Sequence, residues 1–234
     1  MGSTKEPGGT RPEWFRSPDW NAEAKADFEA RLARARREGR PQYRRIKALA
    51  LLGARDAELK AAGRELLEQN ITDPDALPFE RVTALCVLGA DEQDAGDVDA
   101  AERHLRAALD LIEATPSGGT ELAEVRLAEI LLGRGGRAQL EEARALLDRM
   151  PASRPLLLGS RFRKCVAGVR IAAALGDEAS SAAWARLALQ LAAATHSGLA
   201  NHPRLGLVET DDATLSWLAE TALRGPAGGG AGSA

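Results

Sequence analysis

Two Gly-Asp steps, Gly96-Asp97 and Gly176-Asp177, constrain this chain more than any other feature. Each separates two stretches whose apolar residues recur at helical spacing. Glycine escapes the penalty of a left-handed turn, and aspartate can cap the helix that follows. Each step therefore predicts a helix running in and a second helix leaving antiparallel to it. Around Gly96 the predicted arms are about 79–95 and 97–114. Around Gly176 they are about 155–175 and 177–195. Composition agrees, because 46 Ala and 33 Leu in 234 residues favour helix over strand.

Other helices follow from caps and breakers. Ser17, Pro18 and Asp19 look like a helix start, with Phe15 folding back on the first turn. Trp20, Ala24, Phe28, Leu32 and Ala35 would form its apolar stripe, and Gly39 its end. Pro41 opens a helix through Ile46, Leu49 and Leu52, and a partner spans about 56–69. A further pair, about 120–133 and 138–150, is joined by the glycines of 133–137. Thr210 or Asp211 caps a last helix carrying Leu215, Trp217, Leu218 and Leu223. The domain reading is a disordered tail at 1–12, an N-terminal capping helix within 13–40, a helical repeat domain at 41–223 and a Gly/Ala tail at 224–234.

The segment Leu85-x-x-Leu88-Gly89, Gly96-Asp97, then Ala101-x-x-x-Leu105-x-x-Ala108-Leu109 resembles a tetratricopeptide repeat. Small residues at Gly89, Ala101 and Ala108 suit closely packed arms, and Leu85, Leu88 and Leu105 fill the space between units. Two departures are Glu92, where the family usually has an aromatic, and a late Pro116. The register fits Cys165 to Ala188 more weakly, with Ser181, Ala185 and Ala188 as small positions. Ala143, Leu147, Met150 and Pro151 suggest a third unit, and Ile46, Leu49, Ala50, Ala62 and Leu66 a degenerate first one. The resemblance covers about 41–197 and implies an all-α, right-handed superhelix of antiparallel hairpins. The opening EWFRSPDW and QYRRIKALAL also look like stand-alone repeat proteins of high-GC bacteria, in keeping with 26 Arg to 5 Lys.

The resemblance implies a concave face lined by the first helix of each pair. Carried over position by position, it gives Arg44 and Lys47 in the first unit, and Thr83, Cys86, Ala90 and Gln93 in the second. The last unit gives Arg163, Val166, Arg170 and Ala173. Four cations on one groove would suit an acidic peptide or a C-terminal carboxylate, because guanidinium groups bind carboxylates through two parallel hydrogen bonds. Alternatively, Arg163 and Arg170 pair with acids of the neighbouring unit. The function this implies is non-catalytic: a module binding a peptide or protein partner.

Charge and motifs bound the alternatives. Net charge is −3, which argues against nucleic acid as partner, although residues 29–64 sum to +7 and 65–148 to −12. The acidic stretch motivates an immunity- or antitoxin-like inhibitor as a second reading. Trp184 and Trp217 motivate a third, an enzyme or small-molecule binder with a pocket between helices. No GxSxG, HExxH, phosphate-loop or dinucleotide motif is present, so no catalytic residue is assigned. The glycines at 133–137 read as a turn. His104, His196 and His202 lack ligand spacing, so neither metal nor cofactor is expected. Cys86 and Cys165 read as buried free thiols. No run suits a membrane span, and the opening residues lack the apolar core of a signal peptide, so a cytoplasmic location is expected.

Overall fold

The computed structural model describes residues 14–115, 122–150 and 156–224. Among them there are only helices and connections. The helices are α1 (Ala22–Arg34), α2 (Arg40–Leu52), α3 (Ala57–Thr72), α4 (Pro78–Ala95), α5 (Val98–Ala114), α6 (Ala123–Arg134), α7 (Arg137–Arg149), α8 (Leu158–Ala174), α9 (Glu178–Ala192) and α10 (Asp212–Arg224). Adjacent helices pack in pairs, as α2 with α3, α6 with α7, and α8 with α9. The chain divides into two compact units. One holds 1–97 and 110–119, and the other holds 98–109 and 120–234.

Both Gly-Asp steps form the same turn. Gly96 and Gly176 have φ of 87° and 77°. The Asp97 and Asp177 amides donate back to the carbonyls of Glu92 and Ala172, each at 2.9 Å. Together with the Gly96 and Gly176 amides, which donate to Gln93 and Ala173, these bonds satisfy carbonyls that a helix end leaves open. Asp177 also caps α9, its carboxylate accepting from the Ser180 amide at 3.0 Å. The glycines Gly135 and Gly136, at φ of 68° and 82°, form the turn between α6 and α7.

In the first unit, Phe28, Leu51, Leu66, Leu67, Ala84 and Leu88 form a buried cluster. Burying each large side chain contributes about 1.5–3 kcal/mol. Gly63 lets α3 approach α2 closely, since a Cβ there would lie 3.0 Å from the Ala48 carbonyl oxygen. Gly63, rather than Ala62, is therefore the small position of this pair. Leu49 is exposed rather than packed. The start of α1 also differs from expectation. Asn21 caps it by accepting from the Ala24 amide at 2.9 Å, and the helix ends at Arg34. Ser17 and Asp19 bond to each other instead, in a non-helical strap that precedes the helix.

In the second unit, Phe162, Cys165, Val169, Ala185, Ala188 and Leu218 are buried together. Trp184 lies directly over Gly168, where a Cβ would come within 2.7 Å of its ring. Ser181, Ala185 and Ala188 are buried on α9. The connection from α9 to α10 is tied to the start of α8, because the Gly159 amide donates to Gly206 at 2.8 Å. Asp211 caps α10 through the Thr214 amide. No described helix is long and apolar enough to cross a membrane. Arg224 is helical, while residues 1–12 and 225–234 lie outside the described residues.

Candidate functional site

In the first unit, the cations expected on a groove are already engaged. Arg44 lies on α2, two turns from Leu51, and its guanidinium donates to the Asp73 carboxylate at 2.5 Å and to Asn70 at 3.4 Å. Burial alone would raise the Asp73 pKa. The Arg44 hydrogen bond, the Asp75 amide and the charges of Arg44 and Arg81 outweigh it and hold the carboxyl below its ordinary value.

Lys47 is not on a groove at all. It is 2% exposed, and its Nζ donates to the carbonyls of Ser17 at 2.6 Å and Asp19 at 2.9 Å. It also faces the rings of Trp20 and Phe28, at 5.2 and 5.7 Å from their centroids. Burial lowers its pKa, and Asp19 partly restores it. The reason for the misplacement is register. The outward face of α2 carries Gln42, Arg45, Ile46 and Leu49, about two positions from the one expected. Lys47 instead pins the strap of residues 14–20, whose Trp14 and Phe15 pack against Tyr43 with tilted rings.

On α4, Thr83 and Cys86 are buried rather than presented to a ligand. Ala90 and Gln93 are half-buried, and Gln93 has a bonded partner. Between the strap and the outward face of α2 lies an open depression lined by Arg16, Arg45, Ile46, Leu49 and Ala50. Arg45 is forked onto Glu80, at 2.7 and 3.3 Å, so its charge is compensated.

In the second unit, Arg163 forks onto Glu129 of α6 at 2.8 and 2.5 Å. That is the alternative in which an arginine pairs with the neighbouring hairpin. Val166 is half-buried against the Phe162–Val169 cluster. Arg170 is exposed and rests over the Trp217 ring, 5.5 Å from its centroid. It has no carboxylate partner among the described residues. Of the four cations expected on the groove, Arg170 is the one left open to a ligand.

The chain matches no family model, no curated protein and no solved structure. Chemistry must therefore be read from its side chains alone. Among the described residues no group of three or more His, Cys, Asp or Glu is placed to hold a metal ion. His196 is used locally, its Nδ1 accepting from the Gly198 amide. Cys86 and Cys165 are buried thiols outside any disulfide, and burial pushes the Cys165 thiol up to about 11.

The two tryptophans have different surroundings. Trp184 is taken up by packing on Gly168. Trp217 lines a cavity of about 270 Å³ with Val169, Ala173, Gly176, Glu178, Ser181, Thr221 and Arg224. Glu178 and Arg224 had no sequence signal of their own. Each sits at a helix end, where an acid at the start and a base at the finish are ordinary.

Proposed function

We propose that this chain is a non-catalytic interaction module, a tetratricopeptide-like right-handed superhelix of hairpins that binds a protein or peptide partner. The carrying observation is Arg170, an exposed guanidinium on an inward position of the repeat register with no acid beside it. Stacking on Trp217 holds it in place while leaving donors available for a partner carboxylate. The shared turn at 96–97 and 176–177 and the buried small positions of α9 support the repeat reading.

The test is affinity capture from the native host with the wild-type chain, Arg170→Glu and Arg170→Lys, quantified by mass spectrometry. A partner retained by the wild type, lost about tenfold on Arg170→Glu and partly kept by Arg170→Lys is expected. Capture that is indifferent to both substitutions refutes the assignment. The cavity at Trp217 favours a second reading, in which the fold also holds a small molecule.

A further inference from the structure

The Trp217 cavity lies where the last hairpin meets the terminal helix. Helix α8 supplies Val169 and Ala173, the turn Gly176, α9 Glu178 and Ser181, and α10 Trp217, Thr221 and Arg224. Its volume, about 270 Å³, falls just below the roughly 300–1,000 Å³ of sites for drug-sized ligands. A molecule the size of one amino-acid residue suits it.

The lining sorts into three kinds of group. Ala173 and the indole of Trp217 form the accessible apolar part, and Val169 is fully buried. The neutral polar groups are satisfied within the protein. The Ser181 hydroxyl donates to the Val169 carbonyl at 3.2 Å, and the Thr221 hydroxyl donates to the Trp217 carbonyl at 2.9 Å. They place no demand on a ligand. Two opposite charges remain, Glu178 and Arg224. They line one space without pairing to each other.

The Glu178 carboxylate has no hydrogen-bond or ion-pair partner among the described residues. Among the described residues Arg224 reaches only Glu220, one turn back on its own helix, at 3.8 Å with both side chains about 70% exposed. Such a pair contributes little and yields readily to a better carboxylate. At the turn, a Cβ on Gly176 would meet nothing within 4 Å, so the chain leaves that side open. Arg170 occupies the Trp217 ring at 5.5 Å and steadies its orientation.

We propose that this cavity binds a small zwitterion of the amino-acid type. Its carboxylate meets the Arg224 guanidinium, its ammonium meets the Glu178 carboxylate, and its apolar side chain rests against Trp217 and Ala173. A purely anionic ligand would leave Glu178 facing it as a like charge, and a purely cationic one would meet Arg224 in the same way. Only a ligand carrying both charges satisfies both ends.

The proposal stands apart from the partner reading, which rests on Arg170. The test uses the full chain and three probes: L-leucine, L-leucinamide (cationic) and N-acetyl-L-leucine (anionic). The readout is the NMR shift of the Trp217 indole N–H and the Ala173 methyl. Leucine is expected to bind at least about tenfold more tightly than either derivative. Arg224→Gln should bring leucine down to the level of leucinamide while leaving leucinamide unchanged. Glu178→Gln should do the same relative to N-acetyl-leucine. Both positions are exposed, so the variants should keep the wild-type circular dichroism and melting point.

Absence of shifts at millimolar leucine overturns the proposal, as does equal binding of all three probes or leucine binding indifferent to both substitutions. Neither substitution removes Arg170 or Trp217, so partner capture by these variants reports separately on the module itself.

Discussion

Replacing Lys47 with methionine should free the N-terminal strap. Methionine keeps most of the side-chain volume and removes the ammonium. Two charge-assisted hydrogen bonds, to the Ser17 and Asp19 carbonyls, are lost with it. Hydrogen bonds to charged groups contribute about 1.5–3 kcal/mol each, a gross loss of roughly 3–6 kcal/mol. The contacts with the Trp20 and Phe28 rings add a further amount of order 1 kcal/mol. Against this stands the desolvation of a 2%-exposed ammonium, several kcal/mol that the variant no longer bears. The net expectation is a destabilisation of about 2 kcal/mol, concentrated in residues 14–20, whose remaining anchors are aromatic contacts.

The assay is limited trypsin digestion at exposed Arg16, followed by mass spectrometry. Cleavage that tracks the open population should rise about thirtyfold for a 2 kcal/mol loss. The pH dependence carries its own sign. Burial puts the folded Lys47 pKa below the unfolded one, so the folded state gives up the proton first. Stability from this group therefore grows as pH rises between the two values, and is lost as pH falls through the folded value. Lys47→Met should flatten that component. Unchanged cleavage at Arg16 together with an unchanged alkaline slope would refute the pin.

Four other outcomes can be checked by denaturation or thiol chemistry. Gly168→Ala drives a methyl into Trp184, where the space is already filled, and should cost about 1–3 kcal/mol. Gly133→Ala, inside α6 with nothing within 4 Å, should be neutral or stabilise by about 0.5–1 kcal/mol. Asp73 has a folded pKa below its unfolded one, so its contribution is present at neutral pH and is lost on acidification through the folded value; Asp73→Asn should make the acid limb of the stability curve shallower. The Cys165 thiol, raised to about 11 and buried, should resist alkylation at pH 8 in the folded chain and react at the rate of unfolding.

Turns and helix pairs were legible in the sequence because they rest on interactions within a few residues. Gly176 needed a left-handed φ and Asp177 was a cap three residues from the amide that donates to it, so spacing alone revealed them. The α1 start was misread for the same reason turned around. Ser17, Pro18 and Asp19 satisfy every local rule for a helix start, but the Ser17 and Asp19 carbonyls were claimed by a lysine about 30 positions away. The apolar spacing of α2 and α3 left the register of that pair open, and an error of two positions turned Lys47 from a surface cation into a buried one.

Composition, periodicity and turn chemistry by themselves determined that this chain is helical and paired, and where most of its helices begin and end. Only the tertiary structure decided which charges are spent and which remain. Arg44 and Asp73 lie 29 residues apart, and Arg163 and Glu129 lie 34 apart. A charge is neutralised by whatever lies within a few ångströms, and distance along the chain says nothing about that until the helices have packed. Arg170 and Lys47 read alike in the sequence. Packing left one on an open tryptophan and closed the other beneath a strap.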